Sequence, residues 1–281
     1  MKLRTLRALV RSRKFLIGLS VFLSLLIGSF AFTMLSSRSP TEMVGFLYEA
    51  PSQRHLLGTD NFGRDVLVEL IYGIRTSIFV GLVSGIIATI VGTTIGTVAG
   101  FAGKWVDGVL NSLTNLFLVI PSFVILILLA VSLRQRSLVL IAVVIGVTSW
   151  PWTARAVRAQ TSSLKTREHI NMARLNGKGS FEIMLTEILP YMFSYIFMVF
   201  VLQVAGGILN EAGLSMLGLG PENTISLGIM LSWALNFEAV RTGAWWAFVP
   251  PVFSIAIITF SLYLVNIGMD EIFNPRLRKQ G

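Results

Sequence analysis

Three groups of residues in this sequence have the types and spacing to do chemistry, and each is polar in an otherwise apolar chain. The first joins His55 to Asp60, Arg64 and Asp65, with Gly58, Thr59 and Gly63 between them. An imidazole beside two carboxylates could hold a metal or move a proton, but a metal site needs further ligands at defined spacing, and His55 stands alone. A polar network shaping an entrance accounts for the same residues. The second group is Gln203, Asn210 and Glu211 at the end of a long apolar run. Polar groups at membrane depth usually face a cavity; here they could equally hold a turn at Gly206 and Gly207. The third group pairs glycine with lysine, in Asn176-Gly177-Lys178-Gly179 and Gly103-Lys104-Trp105. A phosphate-binding loop needs glycine, four residues, then Gly-Lys and a hydroxyl residue, and neither stretch provides that. The chain therefore carries no ATP-hydrolysing loop of its own.

The elements that must position these residues are membrane helices. The chain has 281 residues, of which 54% are hydrophobic and 13% charged, with mean hydropathy +0.74. A soluble fold could not cover that much apolar surface. About 20 apolar residues cross a hydrocarbon core of roughly 30 Å, and six segments satisfy this, at 15–35, 74–101, 109–133, 138–157, 186–209 and 244–268. The first follows a basic stretch with no acidic residue and lacks a small-residue cleavage site, so it reads as an uncleaved helix. The resulting division is a basic tail 1–14, a helix 15–35, an outer loop 36–73, a core 74–268 holding five helices and a loop 158–185, and a tail 269–281. A further segment, 210–243, contains Gly213, Gly218, Gly220 and Pro221 and reads as a broken or re-entrant turn. Gly81, Gly85, Gly92, Gly96 and Gly100 share one face of the second span, which predicts close packing against helices of the same chain rather than a subunit interface.

Sixteen of the 23 basic residues fall on one side of this topology and six on the other, with Arg75 near a boundary. Basic residues resist translocation, so both termini are expected in the cytoplasm. The same clustering assigns the net charge of +9 to lipid headgroups and topology rather than to nucleic acid. It also puts His55 and His169, the only histidines, on opposite sides of the membrane, which removes a catalytic centre built on both. There is no cysteine, hence no disulfide framework or thiolate ligation.

The stretch from Arg167 through Glu168, Asn171, Met172, Ala173 and Arg174 to Gly177 has helical spacing and a terminating glycine, and predicts a short helix lying along the membrane. It runs on to Glu187-Ile188-Leu189-Pro190 at the mouth of the next span. This pattern resembles the cytoplasmic motif of permeases of ATP-binding cassette importers, in which Glu-Ala-Ala, three residues and Gly lead to Ile-x-Leu-Pro. Here Asn171-Met172-Ala173 stands for the first part and Glu187 for the isoleucine, while Gly177, Leu189 and Pro190 match. Residues 55–67, from His55-Leu56-Leu57-Gly58-Thr59-Asp60 to Val66-Leu67, resemble the outer motif of the C-type permease of dipeptide and oligopeptide importers. Residues 208–220 and the tail Asn274-Pro275-Arg276-Leu277-Arg278 are similar to it as well. Members often carry an arginine and an aspartate where this chain has Ser112 and Asn115; losing both together keeps the charge balanced.

The resemblance implies an all-α polytopic membrane protein with the type I importer permease fold and six transmembrane helices, in a prokaryotic inner membrane. It implies a homologous permease as partner, two ATPase subunits that use ATP and magnesium, and an extracytoplasmic binding protein that delivers solute. This chain would bind no cofactor or metal and catalyse nothing. Glu168, Asn171, Met172, Ala173, Arg174, Gly177, Leu189 and Pro190 would couple to the ATPase, while residues 58–65 shape the entrance. Peptides are the expected cargo, then oligosaccharides, then nickel. An ion-coupled secondary transporter is the alternative class, expected to show midplane ionisable residues or an inverted repeat of broken helices. A membrane enzyme would need converging nucleophile and base within the spans.

Overall fold

The computed structural model describes residues 12–273, so the readings of the N-terminal basic stretch up to Arg11 and of the tail 274–281 lie outside the described residues. The described residues are helical apart from turns and two isolated bridges in the loop after the first helix. The helices are α1 (Arg13–Leu35), α2 (Val66–Ala102), α3 (Lys104–Val119), α4 (Ser122–Ser132), α5 (Leu138–Leu164), α6 (Glu168–Leu175), α7 (Ser180–Met216), α8 (Leu227–Asn236) and α9 (Val249–Phe273). Five are long and apolar enough to cross a membrane, or six if the bent pair α3–α4 forms one span.

The long helix α2 is the axis of the fold, and its glycines let α5 and α7 approach its backbone. A Cβ at Gly92 would stand 2.5 Å from Thr153 Cβ, one at Gly96 2.5 Å from the Ala154 carbonyl oxygen, and one at Gly100 2.7 Å from the Arg158 carbonyl oxygen. Gly81 and Gly85 meet Val204 and Ile208 of α7 in the same way. The glycine stripe is thus consumed inside the chain. The peripheral helix α1 packs on α9, with Gly18 against the Ser261 carbonyl and Gly268 against Phe15.

Several expected boundaries shift, each for a physical reason. Asp65 caps α2 by accepting from the N–H groups of Leu67 and Val68, at 2.9 and 3.3 Å, so that helix begins at Val66 rather than 74. The apolar run 109–133 is not one straight span: α3 and α4 diverge by 80° at Pro121. The residue before a proline is pushed out of the helical region, and Ile120 is extended at φ −84° and ψ 127°. Helix α5 runs on to Leu164 because Val157, Thr161 and Leu164 are buried. Gly206 and Gly207 hold no turn, since α7 stays helical through them to Met216. The region 210–243 consists of the end of α7, a turn, and the short apolar helix α8 capped by Ser226, whose hydroxyl accepts from the Ile229 N–H at 3.2 Å.

Candidate functional site

At one end of the bundle, residues 36–65 fold into a compact loop stapled to α2 and α8. The Asp60 carboxylate accepts from the N–H groups of Phe62 and Arg64, both at 2.8 Å, and closes a turn in which Gly63 takes φ +74°, just after Gly58 at φ +66°. Burial pushes the Asp60 carboxyl above its ordinary range, against those two N–H groups and the Arg64 charge, which pull it down. Arg64 lies 3.5 Å from Glu69 and stacks over Phe62 and Trp233. Thr59 is buried; its hydroxyl donates to the Phe46 carbonyl, and its own carbonyl accepts from the Trp246 indole at 3.0 Å. Gly58 sits so close to the Glu49 carbonyl and the Trp246 ring that no side chain fits. Asp65, 3.4 Å from His55, is occupied as a helix cap. These groups hold the loop to itself and to the helix ends.

In the body of the bundle, a cavity of about 430 Å³ opens where α3 and α4 bend apart. Gln203 and Asn210 of α7 line it, with Ser149 and Trp152 of α5, Phe117 of α3 and Tyr263 of α9. The Gln203 amide donates to the Thr153 hydroxyl at 2.7 Å and to the Ser149 carbonyl at 3.1 Å, bridging α7 to α5. Glu211, expected with Gln203 and Asn210 as a possible pathway residue, does not line this cavity. It is fully buried and accepts from the hydroxyls of Ser77 at 2.9 Å and Ser215 at 2.7 Å, while Ser77 also accepts from the Leu227 N–H. Glu211 therefore fastens α2, α7 and α8 together, facing away from the cavity. The hydroxyl and aromatic groups on α5 and α9 escaped the sequence reading, because single serines and rings in apolar helices carry no spacing signal.

At the opposite end, α6 lies in the link between α5 and α7. Ile170 and Ala173 are buried in a cluster with Phe101, Val157, Leu164 and Ile188, which contributes about 1.5–3 kcal/mol for a side chain the size of Ile170. Ala173, expected among the ATPase-coupling residues, thus seats the helix from within. Met172 and Leu175 point outward, as do Phe181 and Leu185 at the start of α7. Arg174 lies over the Phe101 ring, and His169 stacks on Tyr191 at 5.5 Å. The helix ends in paired reverse bonds: the Gly177 N–H donates to the Arg174 carbonyl at 3.0 Å and the Lys178 N–H to the Ala173 carbonyl at 3.1 Å, with Gly177 at φ +79°.

Glu187, the departure from the motif, has a partner in Lys178 at 2.7 Å, which raises the Lys178 ammonium above its usual range. A wide π-helical turn at Met184–Ile188 then leads into Leu189 and Pro190, where proline has no N–H to give the preceding turn. Beside this end Arg158 forms a two-pronged pair with Asp107, the longer distance being 2.7 Å, and Arg155 donates to Asn115 at 2.9 Å. Asn115 thus keeps a partner on α5 without a second charge.

Residues 92–279, two thirds of the chain, match the family model described as binding-protein-dependent transport system inner membrane component. The chain is similar to the dipeptide transport system permease protein of Bacillus subtilis, at 31% identity over 82% of this chain and 71% of that protein. It is also similar to the oligopeptide transport system permease protein of Mycobacterium tuberculosis, at 29% identity over 97% of this chain and 94% of that protein.

Proposed function

From the premise that this chain belongs to the family of inner-membrane components of binding-protein-dependent transport systems, we propose that it forms half of the pathway of an ATP-driven peptide importer. The observation that carries this reading is the seat of α6: a helix fastened from within by Ile170 and Ala173, with Met172 and Leu175 left bare on its outer side. An ATPase subunit receives that bare side. Glu168, Asn171 and Arg174 border it, Gly177 ends it, and Leu189 and Pro190 begin the span it moves. The end bearing α6 is cytoplasmic, as are both termini, and the end bearing residues 36–65 faces the binding protein. A second, homologous permease completes the pathway, and ATP and magnesium act in two ATPase subunits rather than here.

Solute passes along the cavity at the bend of α3 and α4, where Gln203 and Asn210 offer amide groups matched to peptide backbone. A peptide importer fits the names of the two relatives. The rings of Trp152, Tyr263 and Phe117 beside those amides would also suit the faces of sugars, which keeps oligosaccharide as the second reading. Purified complex in vesicles, supplied with its binding protein and internal ATP, should accumulate labelled peptide and lose that uptake with a non-hydrolysable nucleotide. Uptake driven by a proton gradient without ATP would overturn the importer, and uptake of oligosaccharide but not peptide would overturn the cargo.

A further inference from the structure

A second and larger cavity, about 960 Å³, lies at the end of the bundle that bears residues 36–65. It opens between the end of α1, one face of α2, the start of α5 and the turn before α8. Three guanidinium groups border it, and two have a carboxylate within ion-pair distance: Arg64 lies 3.5 Å from Glu69, without a hydrogen bond at its Nε or Nη1, and Arg136 pairs with Glu222 and donates to the Gly218 carbonyl. Arg75 is the exception. It is half-buried, its side chain stacks over the Phe30 ring at 5.0 Å, and among the described residues no carboxylate lies within ion-pair distance of it. A half-buried cation facing a cavity attracts an oxyanion.

The shape of the surroundings says what kind of oxyanion. Tyr72, Arg75, Thr76 and Phe79 recur at helical spacing on one face of α2 and all border the cavity. The same face continues along α2 as Ile86 and Ile90, which are 47% and 61% exposed. From Arg75 to Ile86 is about 16 Å along a helix, close to half the thickness of a hydrocarbon core of about 30 Å. Phe30, on the opposite wall, belongs to α1, the span with the smallest buried share. A charged pocket at the level of the helix ends, opening onto a bare apolar stripe of one leaflet's depth, fits a head and a tail together.

We propose that this cavity holds the headgroup of an anionic phospholipid of the outer leaflet. Arg75 pairs with its phosphodiester, Thr76 supplies a hydroxyl to the headgroup, and Phe79, Ile86 and Ile90 carry an acyl chain, while the Tyr72 hydroxyl already donates to the Arg38 carbonyl at 3.3 Å. The choice of leaflet rests on the orientation proposed above; the site itself does not depend on the cargo. Charge complementarity at Arg75 and the exposed Ile86 and Ile90 below it favour a lipid over free phosphate or a solute carboxylate, neither of which would use the isoleucines.

The test is lipid retention by the complete transporter, purified with its partner subunits and read by native mass spectrometry, separately from any uptake assay. Wild-type complex from mixed vesicles should keep phosphatidylglycerol over phosphatidylcholine by roughly ten-fold, the discrimination of one charge-assisted contact. Arg75→Met should abolish that preference, Arg75→Lys should keep part of it, and Arg54→Met, an exposed loop arginine, should keep all of it. Equal retention in wild type and Arg75→Met overturns the proposal. So does displacement of the lipid by millimolar inorganic phosphate or by transported peptide, or a partner subunit found covering Ile86 and Ile90. If Arg75→Met does not assemble, the wild-type preference decides alone, and its absence refutes the site.

Discussion

Replacing Gly177 isolates the backbone of the α6 turn from everything around it. A Cβ placed there meets no atom of the chain within 4 Å, so no internal clash contributes. What remains is the dihedral angle: at φ +79°, an L side chain costs about 1–2 kcal/mol, and more if β-branched. The turn relieves that strain only by giving up the bonds from the Gly177 and Lys178 N–H groups, which frees the last turn of α6. Loss of 1–2 kcal/mol lowers the population of the seated turn roughly 5- to 30-fold. Solute-stimulated ATPase of the reconstituted complex should fall in the order Gly, Asn, Ala, Val, because asparagine tolerates left-handed backbone best. Basal ATPase and assembly should survive, since Ile170 and Ala173 still seat the helix. Normal stimulation in Gly177→Val would refute the role of the turn. Equal damage in Gly177→Asn and Gly177→Val would place the effect in sterics against a partner instead of in backbone strain.

Gly96→Leu should abolish assembly, because its Cβ would press on the Ala154 carbonyl at 2.5 Å, whereas Gly206→Leu, with nothing within 4 Å, should give a normal yield of monodisperse complex on size exclusion. Glu211→Leu leaves the hydroxyls of Ser77 and Ser215 buried without their acceptor, about 1–3 kcal/mol each, so its melting temperature should fall further than that of Glu211→Gln. Asp60 is a carboxyl raised by burial, so the folded protein holds its proton more tightly than the unfolded chain does. Its ionisation therefore costs stability as pH rises from about 4 through the raised value. Asp60→Asn keeps an oxygen for the Phe62 and Arg64 N–H groups, and its melting temperature should decline less between pH 4 and 8 than that of wild type. An equal decline would place the pH dependence on other groups.

The spans were legible because a long apolar run means the same thing wherever it occurs in a membrane protein. The short helix α6 was legible too, since its apolar spacing and terminal glycine are local signals. The bend at Pro121 was hidden because hydropathy stays high across 109–133, and the proline alone does not say whether a helix kinks or breaks. The polar end of α5 read as a loop, yet Thr161 is buried beside Gly100, a contact between residues distant in sequence. The place of Glu211, left open between a cavity and a turn, was hidden for the same reason. Its partner Ser77 lies 134 positions away, and a buried acid with hydroxyl partners cannot be told from a pathway acid by residue type.

The packing also limits the motions that α6 could drive under the proposed function. Where Gly92, Gly96 and Gly100 meet the backbone and the Thr153, Val157 and Thr161 side chains of α5, the glycines leave no room for a slide, and interiors this dense move as units. Helix α3 is fastened to the same unit by Arg158 to Asp107 and Arg155 to Asn115. α6 sits in the link between α5 and α7, so a push on it acts on the relation between those two helices. Beside the cavity, among the described residues, the Gln203 amide ties α7 to α5 through the Ser149 carbonyl and the Thr153 hydroxyl. If α6 is the lever proposed above, these bonds are expected to stretch before the glycine contacts do, so Gln203→Ala should change solute-stimulated ATPase while leaving assembly intact.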